Sequence, residues 1–197
     1  MHPDASYHDI LKLLNGSFGS KFTDIEAVIF QKNDNSTKVL KAYHKVYQVV
    51  AVKMVSITGT QAGRRCKRED NLLETFSSDV HQHHICRRFA SRLLEFPAWN
   101  PVQVLVLEHM KCGTVADLLE QAPGRLDQIT VARIAIDVLS GLQAFHNHGI
   151  AHRDIKDSNI GVTYANKGDK PTYKILDLGI SVADAAGAGA FIFVSVT

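Results

Sequence analysis

Two stretches of this chain place cation- and hydroxyl-handling groups at fixed intervals. Residues 149–159 read Gly-Ile-Ala-His-Arg-Asp-Ile-Lys-Asp-Ser-Asn, and 18 positions beyond Asn159 comes Asp177, within Lys174-Ile-Leu-Asp-Leu-Gly179. An Asp followed five residues later by an Asn, with a second Asp on an apolar strand, is an oxygen-rich set suited to holding Mg2+ and steering a hydroxyl toward a phosphate. A polar turn between a helix and a hairpin uses the same residue types, since His, Arg, Asp and Asn all favour loops. That reading explains the composition and leaves the spacing unexplained.

The run from His152 to Asn159 resembles the H-R-D-L-x-x-x-N catalytic loop of the eukaryotic protein kinases, and Asp177-Leu178-Gly179 resembles their D-F-G turn. Apolar bulk is kept where Leu becomes Ile155 and Phe becomes Leu178. The resemblance implies that Asp154 accepts the proton of a substrate hydroxyl, that Asn159 and Asp177 hold metal, and that His152 and Arg153 support the loop. Lys156 is the residue typical of serine/threonine-specific members, and the resemblance places it near the transferred phosphate as a point charge. ATP and Mg2+ are the implied cofactors.

Val50-Ala51-Val52-Lys53 resembles the V-A-I-K of the family's third strand, and the 101 positions from Lys53 to Asp154 are an ordinary separation for it. Lys53 is thereby the expected contact to the α- and β-phosphates, with Ala51 beside the nucleotide. Its expected partner is a helical Glu, and Glu69 and Glu74 both qualify. Glu74 is preferred because it lies inside the apolar frame Leu73–Phe76 and precedes His83-His84-Ile85 at about the family interval. Against this, Leu73 follows Glu69 by four residues, where an apolar side chain is normal, whereas Ser78 follows Glu74. Leu107-Glu108-His109-Met110 matches the segment joining the lobes. Leu107 would be the gatekeeper there, and adenine would bond to backbone groups of Glu108 and Met110.

The glycine-rich loop is the departure. Gly16-Ser-Phe-Gly19 lies too far before Lys53, whereas Val39, 14 residues before Lys53, stands where the Val after that loop belongs. This places the phosphate-covering turn at residues 32–37, which contain no glycine. Asn and Asp tolerate positive φ next best after Gly, but Asp34 would repel phosphate, so weaker ATP binding than the family norm is expected.

These groups need a scaffold. Residues 25–31 and 38–53 are rich in β-branched and aromatic residues and predict three antiparallel strands; 86–96 and 102–108 predict two more. Leu72, Leu73, Phe76 and Val80 predict a helix over 68–80, and Thr114 with Asp117 forms a capping-box pattern opening a shorter one. From Thr130, Val131, Ile134, Ala135, Val138, Leu142 and Phe145 recur at three- and four-residue intervals, defining a helix with a broad apolar stripe. The expected fold is α+β and two-lobed, protein-kinase-like: an antiparallel β small lobe plus a partial, mostly helical large lobe. The expected division is an N-terminal extension at 1–24, a small lobe at 25–109 and a partial large lobe at 110–197.

Composition narrows the alternatives. A formal charge of +2 and a pI near 8.4 give no overall excess pointing to nucleic acid or an anionic membrane. The basic run Arg64, Arg65, Lys67, Arg68 is diluted at once by Glu69 and Asp70. His81, His83, His84 and Cys86 lack a second ligand pair and read as a loop rather than a zinc site. Cys66, Cys86 and Cys112 are irregularly spaced, no leader pattern opens the chain, and no apolar run approaches the ~18 residues of a membrane span. A cytoplasmic setting is expected, with a nuclear one equally compatible.

Within the family the metal turn leads to an activation segment closed by A-P-E and then to further helices. Residues 180–197 are expected to serve as that segment, with 195–197 where A-P-E would stand. Nothing in the sequence then covers the stripe of the 130–146 helix, which is costly to leave in water at about 25 cal/mol per Å2. A partner over that helix, or marginal stability, is the expectation. The functional expectation is ATP-dependent phosphoryl transfer to serine/threonine hydroxyls of a protein substrate. The alternative is a pseudokinase-like nucleotide-binding or regulatory module. A small-molecule kinase is disfavoured by Arg153 and Gly179.

Overall fold

The computed structural model describes residues 6–34, 36–57, 61–77, 83–96, 99–122, 126–166 and 168–183. Val80, His81 and the segment 184–197, on which parts of the sequence reading fall, lie outside the described residues. The chain forms two compact units, one of residues 1–71 and 87–109, the other of 72–86 and 110–197.

The first unit is a five-stranded antiparallel sheet with a helix on one face. Helix α1 (Tyr7–Phe18) leads into β1 (Phe22–Gln31), β2 (Thr37–His44) and β3 (Gln48–Ser56). Helix α2 (Gln61–Ser77) follows, its residues 61–71 belonging to this unit. Strands β4 (Arg88–Phe96) and β5 (Trp99–Glu108) complete the sheet in the order β1-β2-β3-β5-β4. Alternation along each strand sorts side chains onto two faces. Leu40, Ala42, Val50, Val52, Met54, Val104 and Val106 form one face and pack with Ile10 and Leu14 of α1 into the core. Each Val, Leu, Ile and Met among these contributes roughly 1.5–3 kcal/mol on burial. The segment expected as an N-terminal extension thus supplies core residues. Ser6 caps α1, accepting from the Asp9 N–H while the Asp9 side chain answers the Ser6 N–H. Gly16 lies inside α1 and Gly19 ends it in the left-handed region at φ 74°.

The second unit holds residues 72–77 of α2, then α3 (Val115–Gln121) and α4 (Gln128–Asn147). Its strands are β6 (Ile150–Ala151), β7 (Ile160–Thr163), β8 (Thr172–Ile175) and β9 (Val182–Ala183), with a 3-10 turn at Asp157–Asn159. β6 pairs with β9 and β7 with β8, both antiparallel. The predicted capping box is present at α3, where Thr114 accepts from the Asp117 N–H. Helix α4 lies close against β8: a Cβ at Gly141 would stand 2.8 Å from Ile175 Cδ1 and 2.9 Å from the His84 carbonyl, so glycine is required there.

The α4 stripe is buried in its C-terminal half alone. Val138, Leu142 and Phe145 are buried, while Val131 and Ala135 are exposed. A second apolar set, Ile129, Ile136 and Leu139, faces outward, Ile129 at 77% exposure. All five predicted strands match observed ones within a few residues, and α2 begins seven residues before the predicted helix.

Candidate active site

In the first unit, register assembles one set of groups on the sheet face opposite α1. Lys53 of β3 stands opposite Val39 of β2 and Leu105 of β5, and Ala51 stands opposite Leu107. Directly opposed antiparallel residues point to the same face, so Val39, Ala51, Lys53 and Leu107 line one surface. Lys53 is a largely buried cation opposite Val39 and Leu105, and burying it requires a counter-charge. Glu69 of α2 supplies it, its Oε2 2.6 Å from Lys53 Nζ and the residue 3% exposed.

This corrects the expectation of Glu74. Cys66, Glu69, Leu73 and Phe76 are all buried, a 3-4-3 spacing that makes them one stripe of α2. Glu74 is five residues past Glu69, about 140° around the helix, and is exposed. The signal was in the sequence: Leu73 four positions after Glu69 keeps the acid in phase with the apolar residues.

The strand that carries Leu107 ends at Glu108, whose N–H donates to the Arg87 carbonyl at 2.8 Å. The turn before β2 closes through Lys32 N–H to the Thr37 carbonyl at 3.0 Å, and Asp34 Oδ1 accepts the Ser36 N–H at 2.9 Å.

In the second unit, the loop between β6 and the 3-10 turn is fixed by three side chains. His152 is buried; its Nδ1 accepts the Asp154 N–H at 3.2 Å, so Nε2 carries the proton and donates to the Leu176 carbonyl at 3.0 Å. Burial pushes the imidazole pKa below its ordinary value, in keeping with that neutral tautomer. The His152 carbonyl in turn accepts from Ser181 Oγ at 3.1 Å. Asn159 donates both amide hydrogens to Asp154, one to its carbonyl at 2.9 Å and one to its Oδ2 at 2.8 Å. Lys156 Nζ lies 3.0 Å from the same Oδ2. The Asp154 carboxylate is therefore held from two sides.

Backbone strain sits at Asp177 itself and at Arg153, the residue before Asp154. Arg153 sits at φ 71° and Asp177 at φ 52°, a region that costs non-glycine residues roughly 1–3 kcal/mol. The hydrogen bonds of His152, together with Leu176 N–H to the Asn159 carbonyl at 2.9 Å and Gly179 N–H to Asp177 Oδ1 at 3.2 Å, hold these conformations. Leu178 is fully buried beside the exposed Asp177 and anchors the turn. Met110 packs on Gly161, where a Cβ would collide with Met110 Cγ and Sδ.

The donor set fits a hard divalent cation. With both amide hydrogens of Asn159 taken, its Oδ1 is left as an acceptor, and the Asp177 carboxylate is exposed. Among the described residues no group of three or more His, Cys, Asp and Glu could cage a metal. An amide and a carboxylate oxygen suit an ion that keeps most of its shell for water and phosphates, as Mg2+ does. Also among the described residues, no helix is long and apolar enough to cross a membrane.

Sequence reasoning does not single out Leu176, Ser181 or Asp70, which bonds to β4 and β5. Backbone carbonyls leave no trace in sequence. Ser181 and Asp70 had no periodic or motif signal.

The profile of the protein kinase domain family matches residues 34–189. Over 152 residues, 76% of this chain, the sequence is 30% identical to rat Misshapen-like kinase 1, of which this spans 11%. Over 191 residues, 96% of the chain, it is 30% identical to mouse serine/threonine-protein kinase TAO3, spanning 18% of that protein. The Arabidopsis serine/threonine/tyrosine-protein kinase HT1 is 31% identical over 72% of this chain and 35% of its own length. The chain thus spans well under half the length of each. With Lys53 of the five-stranded sheet paired to Glu69 of α2, and a loop carrying Asp154 and Asn159, this chain belongs to the protein kinase domain family and has its two-lobed α+β fold.

Proposed function

We propose that this chain transfers the terminal phosphoryl group of ATP, with Mg2+, to serine or threonine hydroxyls of proteins. The observation that carries the reading is the Asp154 carboxylate, fixed by Asn159 and Lys156 while Asn159 keeps an oxygen for a cation. Lys53, oriented by Glu69, binds the α- and β-phosphates. Val39, Ala51 and Leu107 flank the base, which bonds to backbone groups of Glu108 and Met110. Asn159 and Asp177 hold Mg2+, which when bound neutralises phosphate charge.

Asp154 orients the acceptor hydroxyl and takes its proton as the oxygen–phosphorus bond forms and the bond to the leaving diphosphate breaks; the products are the phosphoprotein and ADP. Lys156, half-exposed beside Asp154, steadies the charge on the moving phosphoryl group. His152 stays neutral and holds the loop in register with Leu176, next to Asp177. We read residues 25–109 and 110–197 as the small and large lobes, a cytoplasmic or nuclear setting from three irregularly spaced cysteines outside any disulfide, and a partner over the outward apolar face of α4.

A nucleotide-holding module without transfer is the weaker reading, because a chain freed from catalysis has no physical need for Lys53, Asp154, Asn159 and Asp177 together. The test is Asp154→Asn in a radiolabel transfer assay from ATP to casein. Loss of transfer by a factor of roughly 100 or more, with an unchanged circular dichroism spectrum, is expected. Transfer at the wild-type rate would overturn the assignment.

A further inference from the structure

Asp70 follows Glu69 on α2, and its carboxylate makes three contacts with the sheet. Oδ1 lies 2.6 Å from Arg88 Nε of β4. Oδ2 accepts from Ser91 Oγ of β4 at 2.5 Å and from Gln103 Nε2 of β5 at 3.2 Å. Gln103 gives its other amide hydrogen to Ser91 Oγ at 2.9 Å. Every hydrogen of the Ser91 hydroxyl and the Gln103 amide is used, and the Asp70 and Arg88 side chains are each only 15% exposed. A satisfied, largely buried polar network of this kind fixes geometry more firmly than isolated surface pairs do.

The position of this network bears on the rotation of α2 in the first unit. Over residues 61–71 the buried positions are Gly63, Cys66 and Glu69, so apolar burial there is small. Successive helical residues are about 100° apart. Glu69 reaches β3 through Lys53, and Asp70 reaches β4 and β5 through Arg88, Ser91 and Gln103. Two adjacent carboxylates therefore tether the helix along two directions, and turning it enough to separate Glu69 from Lys53 also breaks the bonds of Asp70.

We propose that Asp70 is a positioning residue: with Arg88, Ser91 and Gln103 it latches α2 at the rotation where Glu69 pairs with Lys53, and so sets the competence of Lys53 for nucleotide. The last clause rests on the nucleotide role proposed for Lys53; the latch itself does not.

The test separates the two. The full chain is treated with an amine-reactive ester without nucleotide, and the modification rate of Lys53 is read by mass spectrometry in wild type, Asp70→Ala, Asp70→Asn, Glu69→Ala and the Glu69→Ala/Asp70→Ala double variant. Thermal unfolding checks that each is folded. The latch predicts that Asp70→Ala raises the Lys53 rate about fivefold, toward the Glu69→Ala value, that Asp70→Asn gives a smaller rise, and that the double variant equals Glu69→Ala. A merely structural Asp70 lowers the melting temperature while leaving the Lys53 rate of the folded protein unchanged, or adds its effect to that of Glu69→Ala; either result overturns the proposal. Should Asp70→Ala not fold, Asp70→Asn and Ser91→Ala carry the same comparison, and an unchanged Lys53 rate in both refutes the latch. ATP titration of the same variants reads the nucleotide role separately: no ATP binding by wild type alongside a latched Lys53 sinks the functional reading and leaves the latch standing.

Discussion

His44 in the first unit and His152 in the second use the same ring nitrogen for the same task. Each is buried, and each Nδ1 accepts backbone N–H groups just downstream: Val46 and Tyr47, both at 3.2 Å, for His44, and Asp154 at 3.2 Å for His152. Burial pushes both imidazoles below their ordinary pKa; the Lys21 charge adds to this at His44, while the Leu176 carbonyl and the charges of Asp177 and Asp154 oppose it at His152. The rings differ at Nε2. That of His152 donates to the Leu176 carbonyl, 24 residues away and next to Asp177. That of His44 makes no hydrogen bond among the described residues; the ring stacks on Tyr47 at 4.6 Å and meets Phe22 edge-on at 5.0 Å. One local device closes a β2–β3 turn. The same device with a second partner ties the loop of Asp154 to the segment after β8 that carries Asp177.

That contrast predicts unequal costs, the largest at His152. Replacing it with Ala removes two hydrogen bonds and vacates a space packed edge-on against Phe145 at 5.5 Å. A loss of about 3 kcal/mol in urea unfolding of the second unit is expected, together with loss of transfer activity. If His152→Ala left transfer intact, the ring would be no more than a turn-holder and the contrast with His44 would vanish.

The parts that were legible in sequence share one property: their information is local. β3 alternates core and face residues from Val50 to Met54, and the loop from His152 to Asn159 keeps its spacing whatever surrounds it. Errors arose where a decision needed helical phase or distant partners. Glu74 was preferred over Glu69 on distance to a later motif, whereas the 3.6-residue phase through Cys66 and Leu73 decides it. Helix α1 went unread because its signal is a single capping box and two buried residues, Ile10 and Leu14. The Asp70 cluster draws on α2, β4 and β5, and no pattern within any one of them announces it. On α4 the sequence periodicity marked one stripe, while exposure of Ile136 and Leu139 depends on which neighbours are present.

Acid tests both histidines at once. Each has a folded pKa below the value of about 6.5 for an unfolded chain, so below that pH the unfolded state binds more protons. The stability from neutral burial is present above about pH 6.5 and is lost as the pH falls toward the folded pKa, by at most about 1.4 kcal/mol per pH unit for each ring. Hydrogen exchange resolved by segment, at pH 7.5 and 5.5, should show both units weakening, and His152→Gln should flatten the response of the second unit alone. A first unit that flattened equally would mean the two rings do not act separately.

The smallest effect belongs to His44. In His44→Gln the side-chain carbonyl can still accept from one of the Val46 and Tyr47 N–H groups, so the turn survives, and the loss is chiefly the stack on Tyr47 and the contact with Phe22. Aromatic pairs of this kind contribute about 0.5–1.5 kcal/mol beyond area burial, so a cost near 1 kcal/mol is expected, read as a modest rise in exchange of the β2–β3 amides. Transfer activity should be unchanged, because among the described residues no hydrogen bond of this ring leads to Asp154 or Asp177. A transfer defect in a folded His44→Gln protein would show that the β2–β3 turn is coupled to the chemistry, and the distinction between the two rings would then rest on degree rather than on kind.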